Sequence, residues 1–263
     1  MITMKRSIIP ILLILIGLSS LSANAQKEVT LRLNPKQGKT YTALVKNTMM
    51  NMMEVQGQTM STTQSIETKS SFTAKEISDE VTFEGQNDAI KLTISQMGMV
   101  LTYDSEHPEK TSPMLAGQTD ELEKDLKKPF TAQYNTLGQH IDSEEESEMN
   151  QIGSAIIPLP EEPMKVGTTW TSKKKNMVNS TEVNATMTYT VTKISKKSVE
   201  VSLSGTVEGD NETSGSYEGT ASIDPETGLI TKSSIKQNIS LTISEQGLTI
   251  PTTISGTTTV TVE

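Results

Sequence analysis

The sequence predicts a mainly β fold made of two related antiparallel sheets of long strands, half-barrel or sandwich-like, with a short helical insert between the halves. Two observations predict it. Apolar and polar residues alternate over long stretches, and short sequence matches recur between the two halves. Strict alternation is typical of half-buried strands. Only 33% of residues are apolar and 3% aromatic, so we expect a thin core whose Thr, Val and Ile side chains suit a pleated surface.

Residues 1–25 have the features of a signal peptide. Lys5 and Arg6 precede an apolar run, Ile8–Leu18, and Ala23-Asn24-Ala25 matches a cleavage site. The run is shorter than the roughly 20 apolar residues that a membrane-spanning helix needs. The alternative is an uncleaved N-terminal anchor. We therefore expect an exported protein, periplasmic or extracellular, with no transmembrane segment after cleavage.

Cysteine usage and charge exclude several classes of function. The chain has no cysteine, which rules out disulfides, thiolate catalysis and a lipid anchor on cysteine. The formal net charge is −9, and it becomes −11 when Lys5 and Arg6 leave with the signal. An acidic surface repels phosphate backbones and anionic lipid headgroups, so nucleic acid is not an expected partner.

Residues 26–142 are predicted to form an N-terminal β repeat with a short helix near 119–128. Alternation predicts strands that are separated by turns at Asn34–Gly38, near Gly57 and at Ser78–Glu80. The predicted strands are Val29–Leu33, Thr40–Met53, Met60–Ile77, Val81–Gly85, Ile90–Ile94, Met97–Tyr103 and Phe130–Tyr134. Asp120 followed by Glu123 is a capping pair that predicts the helix.

Residues 143–166 are predicted to form a helix and a proline-rich connector. The spacing of Ser143 and Glu146 again matches a capping box, and apolar residues follow at helical spacing. This pattern predicts a helix over Glu144–Ile156 that ends at Pro158.

Residues 167–263 are predicted to form a C-terminal β repeat, a meander of long strands. Thr186, Thr188 and Thr190 alternate with apolar residues, and the same pattern continues to Val262. Asp224-Pro-Glu-Thr-Gly228 predicts a tight turn, because proline presets φ and glycine accepts a positive φ.

Three short matches between the halves indicate an internal duplication. Lys36–Tyr41 matches Lys165–Trp170, and Phe72–Ser78 matches Tyr189–Ser195. Phe130-Thr-Ala132 matches Gly219-Thr-Ala221, each followed by a glycine turn. The matches keep their order along the chain, as loop-length changes between two copies would leave them. Trp170 aligns with Tyr41, which favours an aromatic core residue over a sugar-stacking one.

These motifs also carry a resemblance. The Ala-Asn-Ala-Gln26 signal end, the Gly38-Lys-Thr-Tyr41 strand opening and the mid-chain Leu159-Pro-x-x-Pro-x-Lys-Val-Gly-x-x-Trp170 resemble a family of exported Bacteroidetes proteins that is known as a domain of unknown function. The resemblance covers nearly all of the chain after the signal and implies an envelope location without supplying a catalytic residue. Long strands with a helical insert are also similar to the open half-barrels of periplasmic lipoprotein carriers, a likeness of architecture that does not give function.

Enzyme chemistry has little support in the sequence. The two histidines, His107 and His140, have no accompanying nucleophile elbow or zinc-binding motif. Both are interpreted as exposed polar residues. We therefore predict no catalytic residue, no cofactor and no enzyme activity; a carboxylate-based hydrolase is the alternative, with His140 and the acidic stretch at 142–148 as its support.

The methionines Met49, Met50, Met52, Met53 and Met60 form the most unusual cluster. Thioethers are soft ligands that suit Cu(I), but methionine also lines adaptable apolar surfaces. Adjacent strand residues point to opposite faces, so at most about half of the cluster can converge on one ion. Packing or an apolar ligand is the favoured interpretation, and a copper site is the alternative.

The predicted function is therefore that of a non-enzymatic exported envelope protein. It would bind a lipid or other apolar ligand, or an envelope protein partner, on its curved sheets.

Overall fold

In the computed structural model, every strand belongs to one open antiparallel sheet. The structure describes residues 27–55, 57–115, 117, 119–141, 152–178, 181–210, 212–245 and 248–263. The strands are β1 (Thr40–Val55), β2 (Gln58–Ile77), β3 (Glu80–Gln96), β4 (Met99–Asp104), β5 (Phe130–Asn135), β6 (Thr169–Val178), β7 (Thr181–Ile194), β8 (Val199–Gly209), β9 (Ser214–Ile223), β10 (Ile230–Glu245) and β11 (Leu248–Val262). The mainly β, antiparallel fold is confirmed.

The two predicted sheets join edge to edge into this single sheet of 11 strands, in the order β4-β3-β2-β1-β11-β10-β9-β8-β7-β6, with β5 also on β3. The join is the pairing of β1 with β11, from Ala43 opposite Val262 to Met53 opposite Thr252. Both β4 and β5 pair with β3: β4 with its second half and β5 with its first. The first and last strands of the described chain thus pair in the middle of the sheet, and β4 and β6 lie towards its edges.

Helical structure is short. An α-helix, α1, spans Asp120–Asp125, where the sequence predicts one, and its N-cap is Thr119. Asp120 is therefore in the first turn and not at the cap; its carboxylate there is favourable to the helix dipole. The 3₁₀ turns are Pro108–Lys110, Pro113–Leu115 and Ile152–Ala155. Of the helix predicted over 144–156, residues 144–151 lie outside the described residues, and Ile152–Ala155 is 3₁₀. The signal peptide predicted over 1–25 also lies outside them.

Two segments outside the sheet, the N-terminal segment and the connector, cover one face of it at one end. Val29 and Met164 exchange backbone hydrogen bonds of 2.9 and 2.8 Å, which joins the N-terminal segment to the connector. Leu31, Ile157 and Met164 are buried against strands β7–β9, and Leu33 and Ile152 are buried against β1–β3 and β5. We call the covered face the inner face and this end the base.

The aromatic residues of the two halves occupy matching positions. Tyr41 of β1 lies opposite Phe72 of β2, and the rings stack with centroids 5.6 Å apart. Trp170 of β6 lies opposite Tyr189 of β7, and these rings stack at 5.2 Å. Tyr41, Phe72 and Tyr189 are buried, and the half-buried Trp170 packs against the second core cluster, in agreement with its alignment with Tyr41.

The backbone around these pairs also repeats. Gly38 and Gly167, with φ of 74° and 91°, each precede the first strand of a half. Gly38 N–H donates to Ala74 O and Gly167 N–H donates to Val191 O, both at 2.8 Å. A register shift follows each acceptor, between Ala74 and Glu76 and between Val191 and Lys193. Shared irregularities of this kind are stronger support for a duplication than regular strands are.

The third match repeats as well, at the strand that follows. Ala132 of β5 lies opposite Phe83, and Ala221 of β9 lies opposite Val201. The next turns end on Gly138 and Gly228, with φ of 71° and 72°. Strands β1-β2-β3-β5 and β6-β7-β8-β9 thus form similar four-strand units. In the sheet, β10 and β11 lie between the two units. We propose a duplication of this four-strand unit as their origin.

Candidate functional site

The part of the inner face away from the base is the best candidate for a binding site. It consists of four paired positions on β1 and β2, which we call the inner strip. The pairs are Asn47 with Ile66, Met49 with Gln64, Asn51 with Thr62, and Met53 with Met60. All eight residues are half-buried. They continue the face of Tyr41, Ala43 and Val45, which is packed at the base.

The connector stops short of the inner strip, but the insert between β4 and β5 reaches the end of the strip nearest the base, where Ile66 packs against the cluster of Leu92, Tyr103 and Leu115. None of the buried core clusters in the described part of the chain places a connector residue against the strip. Met49 packs beside Ile239 and Ile254 of the neighbouring strands. It lies over Gly256, where a Cβ atom would come within 3.1 Å of Met49 Cγ. On the other side, Gln64 lies opposite Ile94 of β3.

Two asparagines place polar atoms in this apolar surface. The Oδ1 atoms of Asn47 and Asn51 are buried and have no hydrogen-bond partner among the described residues. A buried acceptor without a partner costs about 1–3 kcal/mol. Since the two amides lie on either side of Met49, the strip combines thioether and aliphatic groups with two unsatisfied acceptors. That combination suits an apolar molecule that carries a hydrogen-bond donor.

Asn47 and Asn51 are absent from the candidates predicted from sequence, although the sequence contains a signal for them. On β1 both asparagines lie an even number of residues from Tyr41, Ala43 and Val45, so their side chains point to the same face as these apolar residues. A polar amide on the apolar period of a strand marks either a polar site on the buried face or the point where burial ends. Here it marks both.

A tyrosine extends the same face across the sheet. Tyr217 of β9 packs against the cluster that contains Met49. Burial raises the pKa of the Tyr217 hydroxyl above its ordinary value, because the ionised form loses hydration. The inner face therefore carries a neutral phenol at ordinary pH.

The methionine cluster divides between the two faces. Met49 and Met53 lie on the inner face, and Met60 pairs with Met53 there. Met50 and Met52 point to the opposite, outer face, as does Thr48, whose hydroxyl lies 3.2 Å from that of Ser65. The five candidate copper ligands therefore do not converge on one point, although the three inner residues share a face.

One open groove lies on the outer face above β9, β10, β11 and β1, and a second lies at the end of β1, β10 and β11 away from the base, where both Met52 and Met53 line it. The first has a volume of about 570 Å³, and its lining includes Met50, Glu218, Lys236 and Asn238. The second, of about 400 Å³, includes Met52, Glu54 and Glu212. Polar and apolar side chains are mixed in both linings, as they are in the inner strip, where Thr62 and Gln64 lie beside the methionines.

The candidates for catalysis are dispersed and exposed. His107 Nδ1 is 3.4 Å from Glu109 Oε1 in an exposed loop. The exposed His140 ring stands edge-on to Tyr134, with centroids 5.2 Å apart. Glu54 and Glu212 line one groove, but both are exposed. Catalytic carboxylates are commonly set apart by desolvation or a close charge, and neither feature marks this pair. The predicted acidic stretch at 142–148 lies outside the described residues.

Among the described residues, neither a metal-binding group nor a membrane-spanning helix is present. No group of three or more His, Asp or Glu side chains is placed to hold a metal ion among them. Within the same ranges, every helix is too short or too polar to span a bilayer.

Comparisons with known proteins give a fold likeness and no family. No protein-family model matches the sequence, and neither does any curated protein. A lipovitellin structure, described as showing lipid–protein interactions, is similar with a TM-score of 0.54 and 12% identity over 87% of this chain and 25% of that one. A putative outer membrane lipoprotein-sorting protein domain from Vibrio parahaemolyticus aligns over 85% of each chain at 11% identity, but with a TM-score of 0.15, too low to support any argument. The chain spans about a quarter of the lipovitellin chain, and the likeness between the two is one of fold.

Proposed function

We propose that this protein is a non-enzymatic, exported envelope protein that binds a single-chain amphiphile on the inner strip of its sheet. The observation that carries the proposal is the pair of buried, unpartnered Oδ1 atoms of Asn47 and Asn51 within a surface of Met49, Met53, Met60 and Ile66. A headgroup that donates hydrogen bonds would satisfy these acceptors once the amide side chains rotate towards it, while its chain covers the thioether and aliphatic groups.

Three further features support an apolar ligand. The strip is half-buried, so part of its apolar area is exposed to water without a ligand. Methionine adapts its shape to irregular chains because its unbranched side chain has three rotatable bonds. The lipovitellin structure with the same fold is described in terms of lipid–protein interactions, and this is consistent with a lipid on the sheet.

The first experiment identifies the ligand. Protein recovered from its own cell envelope without detergent would be extracted with organic solvent and analysed by mass spectrometry. We expect a monoacyl lipid, with a hydroxyl, amide or ammonium donor, at up to one molecule per chain. Repeated preparations that contain no lipid would count against the proposal, and so would a bound protein in place of a lipid.

The second experiment locates the site with a matched pair of double variants. A fluorescent lysophosphatidylethanolamine is titrated into each protein after it has been stripped of lipid. Met53→Thr with Met60→Thr changes the inner strip, and Met50→Thr with Met52→Thr makes the same change on the outer face. Loss of two apolar contacts should weaken the inner variant about tenfold or more. The outer variant should stay within about twofold. Equal affinities in the two variants would place the ligand elsewhere.

A further inference from the structure

In the described part of the chain, the large apolar side chains with the highest exposed fractions lie at one corner of the sheet, on and beside the β3–β4 hairpin. Met97 is 73% exposed, Met99 52% and Val100 61%; Met114, on the 3₁₀ turn after β4, is 61% exposed. The core cluster at the base of this hairpin contains Leu92, Tyr103 and Leu115, but none of these four residues. We call Met97, Met99, Val100 and Met114 the corner patch.

Hydrogen bonds bring the separate parts of the corner patch to one edge. Ser112 N–H donates to Thr102 O at 2.7 Å, and Thr102 N–H donates to Ser112 Oγ at 2.9 Å. The segment that carries Met114, two residues beyond Ser112, therefore runs beside the edge of β4. Val100 lies two residues before Thr102 on the same strand.

The turn holds a methionine where the backbone favours other residues. Gln96 pairs with Met99, so Met97 and Gly98 form a two-residue hairpin loop. Their φ angles are 49° and 80°, which is the pattern of a type I′ turn, where Asn-Gly is preferred. A left-handed conformation costs a residue such as methionine about 1 kcal/mol. The exposed Met97 side chain makes no core contact that offsets this cost.

Beyond the residue pair at its base, the hairpin contains no charged residue. Lys91 and Asp104 face each other at its base, with Nζ and Oδ2 3.8 Å apart. The 12 residues between them, Leu92–Tyr103, are all uncharged. The end of the hairpin can therefore leave water without the desolvation of an ion, which is the largest cost of such a transfer.

The position of the apolar groups decides between a protein partner and a lipid surface. Met99 points to the inner face with Leu101, while Val100 points to the outer face and Met97 lies at the turn. A folded partner would cover one face of the hairpin and leave the other exposed. A bilayer surface surrounds both faces and the turn at once, so the corner patch fits lipid better.

From these observations we propose that the corner patch inserts into the interfacial region of a zwitterionic membrane. If the last two residues of each strand enter the membrane, the inserted length is about 7 Å, at 3.3–3.4 Å per residue. This length lies within the 5–10 Å depth of interfacial insertion. Thr62 of β2 lies opposite Gln96, and β2 begins at Gln58, so β2 reaches further than the hairpin. The bilayer therefore approaches the corner obliquely, from the side of β4.

Insertion can be measured at a single residue, because the chain has no native cysteine. Val100→Cys is labelled with the environment-sensitive dye NBD, and Ser78→Cys, in the exposed turn at the opposite end of β3, is the control. Vesicles of phosphatidylcholine and phosphatidylethanolamine are then added. We expect a blue shift and at least about a twofold rise in emission at position 100 and no change at position 78. The site-specific signal does not depend on whether residues 1–25 remain attached.

A binding assay completes the test. The triple variant Met97→Asn, Met99→Thr and Val100→Thr should float with these vesicles about tenfold less than wild type. Met97→Asn alone should fold at least as stably as wild type, because asparagine accepts the left-handed position, so unfolding would not explain the loss. The proposal is overturned by a water-like label at position 100, by equal flotation of the variant, by binding that requires anionic lipid, or by a signal that only another protein produces.

Discussion

Trp170 stacks on Tyr189 with the ring planes 14° apart, and its Nε1–H donates a hydrogen bond of 2.7 Å to the carbonyl oxygen of Pro158. The indole thus joins the connector to the first two strands of the second unit. In the first unit, the Tyr41 hydroxyl accepts a 3.0 Å hydrogen bond from the Lys36 amide. Each unit therefore begins with an aromatic side chain that fixes the preceding backbone to the sheet.

Replacing Trp170 should reduce stability without affecting ligand binding. Trp170→Phe keeps a stacking partner for Tyr189 but loses the hydrogen bond to Pro158, so we expect a loss of about 1 kcal/mol. Trp170→Ala also removes the packing, with a loss of about 3 kcal/mol or more. Urea denaturation measures both values. If Trp170→Phe binds the labelled lipid more weakly while remaining as stable as wild type, Trp170 is a binding residue after all.

Removing an unsatisfied acceptor should raise the stability of the ligand-free protein and lower its affinity for the ligand. Asn51→Val replaces a buried oxygen that has no partner with an apolar group at a strand position. The ligand-free variant should gain about 1 kcal/mol in the free energy of unfolding. Its affinity for an amphiphile with a donor headgroup should fall about tenfold. Lysophosphatidylethanolamine titration and urea denaturation together test the pair of effects. A variant that is both less stable and equally able to bind would contradict the role given to Asn51.

Local sequence pattern was enough to predict most of the strands and many turns, and the reason is visible in particular residues. The strand predicted over Val29–Leu33 is wrong, because Val29 makes only an isolated bridge to Met164. The strand predicted over Thr40–Met53 is observed as Thr40–Val55, because alternation is a local signal. The predicted Asp224–Gly228 turn is present, with Glu226 N–H donating to Asp224 Oδ1 at 2.9 Å and φ of 72° at Gly228. Each of these features depends on residues within a few positions of one another.

The joining of the halves was beyond such reasoning. β1 and β11 lie at opposite ends of the chain, and alternation alone does not say which strands become neighbours. The inner strip depends on this pairing, since Asn51 lies opposite Ile254. The connector covers the base but not the strip, and its path is set by contacts such as Met164 with Val29. Non-local contacts of this kind have no counterpart in the spacing of residues.

The two turn glycines should respond alike if the four-strand units are equivalent. Gly38 and Gly167 both have positive φ and open space at the Cβ position. Gly38→Ala and Gly167→Ala should therefore each cost about 1 kcal/mol through backbone conformation alone. Gly→Asn at either site should cost less, because asparagine tolerates this region better. Chemical denaturation of the four variants gives the comparison, and a large cost at one site only would argue against equivalent turns.

Stability should decline at alkaline pH because buried tyrosines resist ionisation. Burial raises the pKa of the Tyr189 hydroxyl, although the hydrogen bond with Ser172 opposes the shift. Burial also raises the pKa of Tyr217 and of Tyr103, where Glu123 and Asp104 add to the effect. In the unfolded chain these groups ionise near pH 10. Above that pH the folded state holds more protons than the unfolded state, so the free energy of unfolding falls as pH rises.

Below pH 10 this contribution is fully present, and it is lost as pH rises through the raised pKa values of the folded state. Part of the rise in tyrosinate absorbance near 295 nm should therefore occur only with unfolding. Tyr189→Phe removes one buried hydroxyl and should make the decline between about pH 10 and 11 less steep. Thr188→Val, at the neighbouring outer-face position, is the control and should keep the wild-type slope. Equal slopes in wild type and Tyr189→Phe would show that Tyr189 ionises normally in the folded protein.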